Sequence, residues 1–242
     1  GSEMCIRDRF SAMEDLIAKH ELGADERMSF AMKRMNFQAE LGDVDAVHRS
    51  IAALQALLPD KARHQRVFRY NAACALFRIG QNQQAMGIAS QVVLEYYEAM
   101  GITPDQVFMR KQKDLWELID KPSLEHADIK HLADALELLA MIAAKLGGMS
   151  TMARIHAMKF YAIAGALDSL VRVGQDAADD FVAKWDYEGA REILEQHVLP
   201  SVIEHNLLSR IVGVRSQYAV ILAYCGEPDA AEREIARLEP YA

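Results

Sequence analysis

The sequence predicts an all-α chain, an array of stacked helix–turn–helix units, and three observations carry that prediction. A small residue follows a turn position by five places, five times over: Val47 after Gly42, Ala85 after Gly80, Ala153 after Gly148, Ala190 after Trp185 and Ala231 after Gly226. The turn positions lie 38, 68, 37 and 41 residues apart, a spacing that repeated helix pairs produce when none can bury its apolar face alone. No window shows the period-two alternation of β-branched residues that a strand requires.

Taken in order, the chain opens on a segment to be set aside from fold reasoning. Gly1 and Ser2 read as a protease-cleavage scar, and residues 4–9 (Met4, Cys5, Ile6, Arg7, Asp8, Arg9) resemble a translated sequencing adapter of the kind found at the ends of metagenomic reading frames. On that reading a natural N-terminal portion is missing; the alternative is a native start at Met4. Phe10, Met13, Leu16 and Ile17 then recur at helical spacing and stop at Gly23. A helix over 28–41 ends at Gly42, and its partner over 44–57 ends before Pro59, which has no N–H to donate into a continuing helix. The clearest pair is 66–79 and 83–100, joined at Gly80.

Between 101 and 132 the pattern breaks. Thr103, Pro104 and Asp105 read as a helix start, but the amphipathic stretch to Ile119 is short, so this is an irregular helical insert within one continuous array running from 10–100 to 133–242. Helical periodicity returns over 123–146, turns at Gly147 and Gly148, and continues over 151–166. Two further pairs follow: 167–184 with 187–199, and 207–224 with 229–238.

Composition narrows the function classes. With 51% apolar and 26% charged side chains, 242 residues can bury a sizeable core. The net charge of −8, from 35 acidic and 27 basic residues, gives no electrostatic reason to expect nucleic acid or anionic lipid as a partner. No apolar run reaches the roughly 18 residues that would span a membrane. Three well-separated cysteines, two of them inside apolar helical patterns, fit a reducing cytoplasm.

The motif comes from the second unit: Tyr70, Asn71, Ala72, Ala73, Cys74, Ala75, Leu76, Phe77, Arg78, Ile79, Gly80, then Ala85. Small Ala72 and Ala73 let two helices approach, Leu76 fills the groove between them, Gly80 permits a left-handed turn and Ala85 sits under the crossing. The same offsets collect Ala177, Ala178, Phe181 and Ala190, then Tyr218, Ala219, Leu222, Gly226 and Ala231, and more loosely Ala140, Met141, Ala144 and Ala153. This pattern resembles the tetratricopeptide repeat over residues 28–240. The departures are Trp185 in place of a turn glycine, Met35 and Met141 where a very small residue is usual, and intervals longer than the family's ~34 residues.

The resemblance implies a right-handed solenoid whose first helices line a concave groove that binds a protein or peptide. By the turn offsets, Lys33, Asn36, Tyr70, Asn71, Phe77 and Arg78 face that groove, with Ser29, Met32, Glu40, Val67 and Cys74 beside them. Lys33, Asn36, Asn71 and Arg78 are cationic and amide donors of the sort that hold a peptide carboxylate, but Met32 and the pair Leu138 and Leu139 stand where a full carboxylate clamp is basic. The third unit's face (Ala135, Leu138, Leu139, Ile142, Leu146) is apolar and demands a cover. Two covers are open: the insert's own helix, through Val107, Phe108, Leu115, Trp116 and Ile119, or a partner helix, including a second copy of this chain as a homodimer.

Catalytic signals are thin. His126 and His131, five apart, point about 140° apart on a helix and do not converge on one metal. Gly147 and Gly148 lack the lysine and preceding strand of a phosphate loop, and no serine or cysteine stands in a nucleophile elbow. The expectation is a non-enzymatic binding scaffold with no cofactor and no metal. A ligand-gated regulator of a separate effector domain and a homodimerisation module remain as alternatives.

Overall fold

A computed structural model describes residues 23–59, 61–103, 123–148 and 150–241. Among these the regular backbone is all helical, with no strand. The elements are α1 (Ala24–Glu40), α2 (Val44–Leu57), α3 (Ala62–Arg78), α4 (Asn82–Ala99), α5 (His126–Lys145), α6 (Thr151–Ile163), α7 (Leu167–Val182), α8 (Tyr187–Ile193), a π-helical turn (Leu194–Val198), α9 (Leu199–Glu204), α10 (Leu208–Tyr224), α11 (Pro228–Ala236) and a closing 3-10 turn (Glu239–Tyr241). None of these helices is long and apolar enough to cross a membrane. The expected helix ending at Gly23 and the insert helix through Trp116 lie outside the described residues.

The helices begin where capping chemistry permits. α1 starts four residues before the first apolar position, because Asp25 and Glu26 favour the positive end of the helix dipole. Asp43 accepts a 3.0 Å bond from the Ala46 amide at the start of α2, and Asp186 accepts one of 2.9 Å from Gly189 at the start of α8.

They end by one recurrent device. After α3, the Gly80 amide donates to Phe77 O and the Gln81 amide to Leu76 O, which satisfies two terminal carbonyls and requires the left-handed φ of 80° at Gly80. The same pair of bonds closes α7, α9 and α10. After α7 the left-handed position is filled by Trp185 (φ 61°) and after α9 by Asn206 (φ 52°). One expectation needs correction here. The left-handed residue after α5 is Gly147 (φ 72°), not Gly148, so the contact register of that unit shifts by one residue: Ala140 and Ala143 are buried while Met141 is exposed. The loose match at Met141 thus reflects a shifted anchor.

A second correction concerns Pro200. The expected stop at Leu199 does not occur; the helix continues to Glu204. A proline ring inside an α-helix collides with the carbonyl four residues earlier, and the π-helical turn widens the backbone where that collision would fall. The Leu199 amide bonds to Leu194 O, five residues back. A third correction is small: α6 stops at Ile163 and turns at Gly165, short of the expected end at 166.

The described chain forms two compact units that part between Ala89 and Ser90, inside α4. The second half of α4 carries Tyr96 and Tyr97 into the core of the second unit. In the first unit α1 packs on α2 and α3 around Met35, Ala39, Val47, Leu54, Phe68, Ala72 and Ala75. Met35, where a small residue is usual, is fully buried; its unbranched thioether adapts to the space. Met32, half-buried, packs against this core too. In the second unit α6 lies between α5 and α7, and α7 also meets α8, the π-helical turn and α10. Ala177, Ala178 and Ala190 are fully buried at these crossings, as small contact residues must be.

Gly174 marks the closest approach in the second unit. A Cβ there would lie 2.4 Å from Val198 Cγ2 and 3.3 Å from Met158 Cε, and both neighbours are buried. Gly174→Ala should therefore destabilise by about 1 kcal/mol in urea denaturation, the overpacking outweighing alanine's better helix propensity. A rise in stability, the usual result of this exchange in an open helix, would show that the approach is looser.

Candidate functional site

In the first unit, three of the six groove residues named from sequence, Asn36, Asn71 and Arg78, make contacts across α1 and α3. Asn36 and Glu40 are one turn apart on α1; Asn71 and Arg78 are two turns apart on α3. Asn36 Nδ2 donates to Asn71 Oδ1 at 2.9 Å, and Asn71 Nδ2 donates to Val67 O at 2.8 Å. The Arg78 guanidinium is 3.5 Å from the Glu40 carboxylate, an exposed pair that contributes roughly 0–1 kcal/mol and is readily exchanged for another carboxylate. Tyr70 and Phe77 sit one position round from this seam, each half-buried, and Lys33 is exposed. The seam therefore fixes the two helices through amides and leaves a cationic and aromatic margin: Lys33, Arg78, Tyr70 and Phe77.

The second unit carries a comparable polar seam along α5, α7 and α10. Glu137 on α5 accepts two bonds from Arg172 on α7, Nη2 at 2.8 Å from Oε2 and Nη1 to Oε1. The Tyr161 hydroxyl lies 2.7 Å from both Asp134 Oδ1 and Glu137 Oε2. Farther along, Arg210 on α10 grips Asp168 on α7 with two bonds of 2.6 Å, and Gln217 Nε2 donates to Gln175 O and Asp179 Oδ1. Arg154 lies 3.2 Å from Asp176 and from Asp180.

Charge state follows from these contacts. Burial alone would raise the Glu137 carboxyl, but the bonds from Arg172 and Tyr161 and the charges of Arg172 and Arg154 outweigh it and hold the carboxyl below its usual range. Asp176 moves the other way, raised chiefly by burial. Deeper in, Tyr97 OH is 2.9 Å from His156 Nδ1, and Tyr96 OH is 2.8 Å from His131 Nδ1. Burial, helped by the Lys159 charge, pushes His156 down to about 4, and burial raises the Tyr97 hydroxyl. Both groups of that pair are neutral at pH 7, the state of a packing contact.

Leu138 and Ile142 are buried within the chain, Leu139 is half-buried and Leu146 is exposed. As core positions Leu138 and Ile142 present no open surface. Trp116, offered as their cover, lies outside the described residues. Among the described residues no group of three His, Cys, Asp or Glu side chains is placed to hold a metal ion.

Sequence reasoning missed the second seam. A signal for it existed: Asn36 and Asn71 are 35 residues apart, and so are Glu137 and Arg172. Asp168 with Arg210, and Gln175 with Gln217, are each separated by 42. Complementary polar residues thus recur at separations of 35 and 42, joining α1 to α3, α5 to α7 and α7 to α10. No protein-family model matches the chain, and no curated protein matches it.

Proposed function

We propose that the chain is a cytoplasmic helical-repeat scaffold of tetratricopeptide type, a solenoid of antiparallel helix pairs whose first-helix faces bind an extended peptide or protein segment. The observation that carries the reading is the recurrence of bonded pairs one repeat apart within each unit, Asn36 with Asn71 and Glu137 with Arg172. Such pairs hold first helices side by side, and rigid parallel helix faces suit an extended chain because the receptor has little left to order on binding. In the first unit, Tyr70 and Phe77 supply apolar anchors, while Lys33 and Arg78 attract carboxylates.

The test is direct binding of a randomised acidic peptide library to the full chain, with selected peptides measured by fluorescence polarisation. Tyr70→Ala and Phe77→Ala should each weaken the selected peptide about tenfold, a loss typical of an aromatic anchor, with the helical circular dichroism unchanged. Equal affinity in both variants would remove this face as the site.

A further inference from the structure

At the turn between α7 and α8, Trp185 stands where six other turns among the described residues have glycine at the same left-handed position: Gly42, Gly80, Gly101, Gly147, Gly165 and Gly226. A residue with a Cβ is disfavoured at such a φ. Trp185 is nonetheless there at φ 61° and 80% exposed, so the fold gains little burial from the indole. The indole is also the first ring of a ladder. It meets Tyr187 edge-to-face at 6.3 Å between centroids, and Tyr187 stacks on Tyr224 at 4.7 Å with planes only 11° apart. Tyr224, at the end of α10, is itself 58% exposed. Three aromatic rings thus touch in succession, Tyr187 between Trp185 and Tyr224, and the outer two are open to solvent.

The charges around the ladder have one sign left over. Asp186 and Glu188 flank Tyr187 in sequence, both exposed. Glu188 and Glu227 lie near enough to Cys225, the residue after Tyr224, to raise its thiol after burial has done so. Of the nearby cations, Arg191 is bonded to Glu195 and Glu227, and the Lys184 ammonium donates to the neutral Thr151 hydroxyl at 2.6 Å, which leaves its single charge against those of Asp186 and Glu188. Open aromatic faces with a surplus of carboxylates match a delocalised cation, whose plane stacks on indole and phenol while its N–H groups reach the acids.

We infer that the Trp185, Tyr187 and Tyr224 ladder is a docking site for an arginine side chain presented by a partner protein. The guanidinium stacks on the indole and donates to Glu188. This site belongs to the second unit and does not rest on the peptide-binding reading of α1 and α3.

Titration of the full chain with acetyl-Gly-Arg-Gly-amide, followed by NMR of the two tryptophan indole N–H signals, tests the site; W185F assigns which signal is Trp185. The arginine peptide should shift the Trp185 signal, and the matching citrulline peptide, the same shape without charge, should bind about fivefold or more weakly. E188Q should weaken the arginine peptide by about twofold to threefold, and 0.5 M salt should weaken it further. W185G separates recognition from folding: it should lose the peptide while its Tm stays unchanged or rises by about 2 °C, since glycine suits the turn. Equal binding of the citrulline peptide would overturn the proposal in favour of a neutral stacking ligand. Trp185 shifts that depend on protein concentration without peptide would overturn it in favour of a second copy of the chain. A Tm fall of more than about 5 °C in W185G would overturn it by making Trp185 a structural residue.

Discussion

Lowering the pH from 7 to 4 is expected to remove about 3 kcal/mol of stability through His156 alone. The ring is 7% exposed, its Nδ1 faces the Tyr97 hydroxyl from α4, and its Nε2 is buried without a hydrogen-bond partner. A second proton would be stranded there, beside the Lys159 charge. Burial first and that charge second bring His156 to about 4 from an ordinary 6.5, and each unit of such a difference is worth 1.36 kcal/mol. Because the folded state holds the proton less tightly, the stabilisation is complete above the unfolded value near 6.5. It drains away as the unfolded chain takes up a proton that the folded chain refuses, down to about pH 4. His156→Gln keeps a bond for Tyr97 but cannot titrate in this range. Urea unfolding of both proteins from pH 7 to 4 should show the wild type losing about 3 kcal/mol more than the variant. Parallel curves would mean that His156 takes up a proton in the folded state as readily as in the unfolded one. His197, also lowered by burial, is present in both proteins and cancels in the comparison.

The helix order was legible in the sequence because each stop is written in local chemistry. Gly42, Gly80 and Gly226 take the left-handed turn, Asp43 and Asp186 cap the next helix, and the buried alanines mark the crossings. Local chemistry misled where two signals competed. At Gly147 and Gly148 either glycine can take the left-handed position, and the choice depends on how many residues the turn needs before Thr151. At Pro200 the usual stop signal was overridden because a π-helical turn relieved the ring's clash, and the burial of Val198 and Val202 on either side favours keeping the helix intact.

The candidate site was legible only in part, for a physical reason. A polar residue on a helix reads as solvated until its partner is known, and the partners here are 35 or 42 residues away. Asn36 and Asn71 were named through the family resemblance. Glu137 and Arg172, of equal separation, carry no such resemblance, because Glu137 stands beside the apolar Leu138 and Leu139 and reads as the polar edge of an apolar helix. Tyr96 and Tyr97 are adjacent yet point about 100° apart, as neighbours on a helix do, and each reaches a different histidine, His131 and His156. No pairing rule in the sequence predicts which tyrosine meets which ring.

Glu137→Ala is expected to destabilise the second unit by about 2–3 kcal/mol at pH 7. The carboxylate is 14% exposed and takes both bonds of Arg172, so its removal leaves that guanidinium without its acceptor, while the Tyr161 hydroxyl keeps Asp134. Breaking a fully buried pair from one side costs roughly 3–5 kcal/mol. The lower figure applies because Arg172 is 41% exposed and recovers water, and because Asp176 also acts on its charge. Glu137→Gln, which keeps a bond for Tyr161 but loses the charge, should cost about half as much. The sign with pH follows from a carboxyl held below its usual range: its contribution is complete above the unfolded value near 4.3 and is lost as pH falls through the folded value. The gap between wild type and Glu137→Ala should therefore persist at pH 5, where His156 is already costing stability, and narrow toward pH 3. A gap that stayed constant to pH 3 would mean that packing, not the ionised bond to Arg172, holds α5 against α7, and the pairing of Glu137 with Arg172 would lose its energetic meaning.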